Sequence, residues 1–141
     1  MNDEKPQVTV PSADASGDPR APRIVHIDDR VPYSPPGHGG TVNRRLVEAG
    51  LGAGLEMVLG DVALGGAAHP HSHDSAWQIV MVLEGVLEHS EPGVAPTRCP
   101  PGSVIRIPPG LVHGARAVDG PARVLVIYSP PLPAQGGFRP A

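Results

Sequence analysis

Glycine and proline, 18 and 19 residues of 141, interrupt this chain at such short intervals that no convincing amphipathic helix is left in it. What remains between the breaks is a series of short β-favouring runs. They are RIVHID from Arg23, TVNRRLVE from Thr41, LEMVLGDVAL from Leu55, QIVMVLEGVLEH from Gln78, SVIRIP from Ser103 and RVLVIYS from Arg123. Strands of this length with turn signals between them predict an all-β sandwich or barrel, here a single antiparallel β-barrel over residues 23–129. Residues 1–22 are polar, charged and proline-bearing and read as a mobile arm; residues 130–141 read as a proline-rich tail, disordered or lying extended across a neighbour. Glu84–Val86 reads as a tight hairpin turn, and Pro108–Gly110 as the turn that leads into a strand carrying His113.

Composition narrows the function classes. A chain of 141 residues has room for one core. With 3% aromatic residues, that core has to be built from Val, Leu, Ile, Met and Ala. A net charge of −3 offers no basic patch for a phosphate backbone, which argues against nucleic acid as a partner. No apolar run has the length of a membrane span and the N-terminal stretch lacks a signal-peptide core, so the expectation is a cytoplasmic protein without a membrane partner. Cys99 is the single cysteine, which excludes an internal disulfide and a finger-type zinc cluster; in RCPPG it reads as a turn residue.

The chemistry is concentrated in the histidines. His71 and His73, two residues apart, project to one face of an extended strand and can aim two ring nitrogens into one cavity. Gln78 opens the next apolar run and can add an amide oxygen, while His113 arrives from a separate strand to complete four ligands. Three imidazoles and one carbonyl-type oxygen suit a divalent ion such as Zn, Fe, Ni, Co or Mn. Taken alone, the pair His71 and His73 could equally be a surface accident; His113 in its own matching context argues against that.

Period-two alternation assigns the faces. If Gln78 points inward, so do Val80 and Val82, and Trp77, Ile79, Met81 and Leu83 form an outward apolar row larger than a small soluble monomer normally exposes. Either the N-terminal segment covers that row or a second copy does, and a twofold homodimer is the expectation. In RVLVIYS, Val124, Val126 and Tyr128 share a face opposite Leu125 and Ile127, so Tyr128 either reaches the cavity or caps the barrel end. His69 shares the face of His71 if the strand extends that far, as a proton shuttle or simply as a solvated side chain. One of Arg44 and Arg45 points inward as a candidate clamp for a substrate carboxylate. Glu56, Glu88 and Arg106 are ambiguous in phase, and His26, His38 and His89 read as surface residues.

Laid end to end, these residues resemble the two motifs of the cupins. The first is matched by Gly65, His71, His73, Gln78 and Gly85, and the second by Gly102, Pro108, Gly110 and His113. Gln78 stands where the family usually has a glutamate ligand, and Ala117 where it has an asparagine. The resemblance implies a jelly-roll barrel with one metal ion held by His71, His73, Gln78 and His113, and a homodimer. Gln78 in the glutamate place looks like some cupin isomerases.

A neutral ligand set leaves the full charge of a divalent ion to polarise a carbonyl or enolate oxygen, which favours Lewis-acid isomerase or tautomerase chemistry on a small keto, hydroxy or sugar acid. Candidate proton carriers are Glu88, Tyr128 and His69, with Glu56 also in reach. Two other readings stand beside this one: an Fe(II)-dependent dioxygenase, and a metal-assisted module that binds a small ligand without turnover.

Overall fold

The computed structural model describes residues 21–133 and 137–141. Its strands are β1 (His38–Val47), β2 (Glu56–Ser72), β3 (Trp77–Glu84), β4 (Leu87–Glu91), β5 (Val94–Cys99), β6 (Val104–Ile107), β7 (His113–Ala117), β8 (Ala122–Ser129) and β9 (Arg139–Pro140). They form one curled antiparallel sheet in the order β5-β4-β7-β2-β8-β3-β6, with β1 and β9 also paired to β2. This is the all-β jelly-roll architecture expected from the sequence. Among the described residues the only helical elements are two 3-10 turns, Ile27–Asp29 and Ala49–Leu51. Among the described residues no helix is long and apolar enough to cross a membrane.

The curl originates in β2. Its first part pairs with β8, from Glu56 opposite Tyr128 to Val62 opposite Ala122, and its second part pairs with β7, ending with His71 opposite His113. Between the two lies Gly65, held at φ 77°, where an L side chain is strained. Beside it, a Cβ on Gly66 would lie 2.8 Å from the carbonyl oxygens of Ala63 and Gly40, so β1 and β2 cross here at backbone contact.

Val58, Val80, Val82, Val124 and Val126 fill the interior with Leu87, Cys99 and Ile107, the aliphatic core that a chain poor in aromatics has to build. The predicted alternation holds. Gln78, Val80 and Val82 are buried, and Tyr128 packs against the core from the same face of β8 as Val124 and Val126. Trp77, Met81 and Leu83 are 46, 39 and 39% exposed, and Ile79 is half-buried, so the described part of the N-terminal segment does not cover this row. That segment instead runs beside β1, where Tyr33 bridges to Asn43 and the buried Arg30 pairs with Glu48 at 3.0 Å.

Four local expectations are corrected. Residues 23–28 form no strand; the His26 side chain accepts a hydrogen bond from the Asp28 amide and starts a 3-10 turn instead. Glu84–Val86 is not a hairpin, because β3 pairs with β6 and β8 while β4 pairs with β5 and β7. Cys99 ends β5 inside the core rather than in a turn. The tail is folded where it is described: β9 pairs with the end of β2, and the Ala141 amide donates to the Pro70 carbonyl. The predicted arm, apart from its last two residues, lies outside the described residues.

Gly85 sits at the corner between β3 and β4 at φ 75°, and a Cβ there would lie 2.8 Å from Ala122 Cα. Gly93 has a similar φ of 74° but open space around it. Gly85→Ala is therefore expected to cost more than about 2 kcal/mol, against roughly 1 kcal/mol for Gly93→Ala. Chemical denaturation of the two variants checks this, and equal losses would show that the corner is not tightly packed.

Candidate metal centre

His71 and His113 face one another across the β2–β7 ladder, and His73 lies one residue beyond the end of β2. Gln78 is the second residue of β3, paired with Tyr128 on one side and Ile107 on the other. All three histidines and Gln78 are buried. Ring centroids are 4.4 Å apart for His71 and His113, 5.0 Å for His71 and His73, and 5.6 Å for His73 and His113.

The backbone decides which nitrogen each ring offers. Nδ1 of His71 lies 2.7 Å from the His69 carbonyl, Nδ1 of His113 lies 2.9 Å from the Leu111 carbonyl, and Nδ1 of His73 meets the Gly137 carbonyl. A carbonyl only accepts, so each Nδ1 carries the proton and donates. In the neutral rings the three Nε2 lone pairs are then free. One ligand atom from each ring lies within 4.8 Å of the others, and His73 Nε2 is buried with no hydrogen-bond partner. With metal–nitrogen bonds of about 2.1 Å at tetrahedral angles, ligand nitrogens lie roughly 3.4 Å apart, so the rings have to draw together by about 1 Å to share one ion. An orphaned buried acceptor facing two other lone pairs is what such an ion would satisfy.

Gln78 adds a second sign. Its Oε1 lies 2.8 Å from His113 Nε2, two acceptors face to face once Nδ1 holds the proton. Either the amide turns over, so that its NH2 donates to His113 and its oxygen accepts from the Tyr128 hydroxyl 3.5 Å from Nε2, or both lone pairs are shared by a cation. Protonating the ring is opposed by its surroundings. Burial pushes His113 below the ordinary histidine value, and burial, against the opposing bond to the His69 carbonyl, takes His71 down to about 4. Neutral imidazoles are the form a metal binds.

The centre lies where two spaces meet. An inner cavity of about 70 Å³ is lined by His71, Gln78 and His113 among core residues, and an outer one of about 370 Å³ by His73, Tyr33, Arg45, Glu56 and Phe138; Tyr128 borders both. Of the candidate proton carriers, only Tyr128 is brought to the centre, and burial raises its hydroxyl above the usual phenol range. Glu88 is not brought there. On β4 the side chain of Leu87 enters the core, so Glu88 turns outward and pairs with Arg116 at 3.1 Å. His69 is exposed, because a register shift between Ala68 and His71 breaks the alternation that was to put the two rings on one face.

Glu56 and Arg45 line the outer space, with Arg45 stacked 4.1 Å over the Tyr33 ring; Arg44 approaches Asp61 at 3.7 Å, and Arg106 is exposed. Sequence reading missed His38 and His89, both of which line the inner cavity. The His38 ring is 5.7 Å from that of His71, and the His89 ring is stacked 6.3 Å from that of His113 with Glu91 at 2.8 Å from its Nε2. His89 has the same phase as Leu87, so the register of β4 was the available signal. His38 had none in sequence, since it depends on β1 folding back to place it opposite Ala68.

A family model described as Cupin domain matches residues 58–128. Among solved structures, the chain is similar to the polyketide cyclase RemF from Streptomyces resistomycificus, with 26% identity, 84% of each chain covered and a TM-score of 0.72. It is also similar to a sugar phosphate isomerase from Silicibacter pomeroyi, with 26% identity, 71% of this chain and 69% of that one covered, and a TM-score of 0.60. An oxalate oxidase shows 26% identity over 77% of this chain and 57% of its own length, with a TM-score of 0.60. No curated protein matches the chain.

Replacing His71 and His73 together with alanine is expected to abolish metal binding, read by elemental analysis of protein purified without an affinity tag. Gln78→Ala should weaken binding less than any single histidine change, because an amide oxygen is a poorer ligand than imidazole for these ions. Full metal stoichiometry in the double variant would remove the site.

Proposed function

This chain belongs to the cupin family, and we propose that it is a metal-dependent enzyme performing Lewis-acid, isomerase-like chemistry on a small keto, hydroxy or sugar acid. The observation that carries this reading is the donor set: the carbonyls hold the proton of each ring on Nδ1 and leave Nε2 as the donor atom, burial favours the uncharged form of His71 and His113, and an amide stands in the place of a carboxylate. A divalent ion held by His71, His73, Gln78 and His113, whether Zn, Fe, Ni, Co or Mn, supplies undiminished positive charge toward a substrate oxygen.

The chain's own groups supply the rest. Tyr128 keeps its proton because its hydroxyl is buried, so at Oη it donates a hydrogen bond to a substrate oxygen rather than acting as a base. Glu56, buried and opposite Tyr128 in the β2–β8 register, is the carboxylate in the outer space that can take up a proton; its Oε1 already accepts the Leu132 amide at 2.8 Å, which fixes its orientation. Arg45, beside it, offers a cation to an acidic substrate group at the mouth. The likeness to a sugar phosphate isomerase supports the reaction class. The likeness to an oxalate oxidase supports a second reading, in which Fe(II) in the same site works with dioxygen.

Gln78→Glu separates the two. It adds a negative charge at the ion, so for Lewis-acid chemistry the variant should keep or tighten its metal while losing turnover by about tenfold or more on keto and hydroxy acids. Unchanged turnover that depends strictly on Fe(II) and dioxygen, compared in aerobic and anaerobic assays, would establish the second reading instead.

The outward row on β3 supports a homodimer. Met81 is paired with Val104, itself 52% exposed, so the apolar surface continues across β6. Sedimentation at low micromolar concentration is expected to give twice the mass of one chain, shifted toward one chain by Met81→Asp. A wild-type monomer would show that the row is covered some other way.

A further inference from the structure

The C-terminal segment reaches the candidate metal centre from outside the barrel, and it does so at two of the three histidines. The Gly137 carbonyl accepts a hydrogen bond from His73 Nδ1–H. The next residue, Phe138, is the only phenylalanine of the chain and stacks on the His71 ring at a centroid distance of 4.8 Å and an interplanar angle of 27°. Its ring is socketed: it fills the place where a side chain on Gly37 would be, and Gly37 lies at φ 69°. The following residues are fastened to the strand that carries His71. Arg139 is opposite Ser72 and Pro140 opposite His71, while the Arg139 guanidinium pairs with Asp74.

The other two histidines are oriented by carbonyls two residues away, His69 for His71 and Leu111 for His113, so their orientation comes with the local backbone. His73 differs. It lies beyond the end of β2, and its orienting carbonyl is 64 positions away in sequence. Without that carbonyl the Nδ1–H is left without its partner, and the ring can turn so that Nε2 no longer faces the other two donors.

We propose that residues 137–141 are a positioning element of the metal centre: Gly137 fixes the tautomer and direction of His73, and Phe138 holds that carbonyl in place while covering His71. This rests on the reading that His71, His73 and His113 bind an ion. Partners of this kind, which act on a ligand rather than on the metal, typically govern metal affinity by a factor of about 10 to 100.

The test titrates Co(II) and Zn(II) into wild-type protein, Phe138→Ala, Phe138→Leu and a chain lacking residues 134–141, with chelator competition for affinity and the visible Co(II) spectrum for coordination. Phe138→Ala and the shortened chain are expected to bind about 10- to 100-fold more weakly and to give an altered Co(II) spectrum, with Phe138→Leu, which keeps an apolar side chain in the socket, restoring most of both. A merely structural contact would lower thermal stability without changing the Co(II) spectrum. Wild-type affinity and spectrum in Phe138→Ala and the shortened chain would overturn the proposal while leaving the site intact. Absence of binding to the wild type would instead overturn the metal reading itself. If the shortened chain does not fold, Phe138→Ala against Phe138→Leu decides alone.

Discussion

Strand β2 pairs with four others, β1, β7, β8 and β9, because its backbone changes direction around Gly65 and Gly66. Before the bend it belongs with β8, β3 and β6; after it, with β7, β4 and β5. The two parts of the molecule are therefore joined by continuous backbone, and the bend determines what the far end of β2 meets. His71 lands opposite His113 only because the second part of the strand is turned onto β7. Gly66 makes the crossing feasible, since any side chain there would collide with the carbonyl oxygens of Ala63 and Gly40.

Burial and orientation then act together on the imidazoles. Desolvation alone would make a buried histidine neutral without deciding which nitrogen keeps the proton. The carbonyls of His69, Leu111 and Gly137 decide it, and they do so the same way three times. The result is a set of lone pairs directed into one small space beside a cavity open to larger molecules. Such an arrangement is costly for a protein core to hold empty of positive charge.

Much of this was legible in the residues. Short runs between Gly and Pro gave the all-β fold, and alternation about Gln78 assigned inward and outward sides of β3 correctly. His71, His73, Gln78 and His113 meet as their spacing and context suggested. The reading failed where a side chain's direction depended on partners far away in sequence. Glu84–Val86 looks like a hairpin to any local rule, but a close approach to Ala122 makes it a corner, and the phase of β4 cannot be read without it; hence Glu88 stays ambiguous among the proton carriers and His89 reads as a surface residue. His69 failed through an irregularity in β2, and the tail through a pairing that joins the chain's end to a strand some 70 residues earlier.

Cys99 has a consequence for how the protein meets its surroundings. It is the only thiol in the chain, 7% exposed at the end of β5, and burial raises its pKa. Little thiolate forms, and little of it can be reached, so soft ions and electrophiles find no ready thiol to react with. Cysteine oxidation and disulfide-linked pairing of chains are held back for the same reason. Any transition metal retained by the folded barrel after washing therefore reports on donors other than a cysteine thiolate.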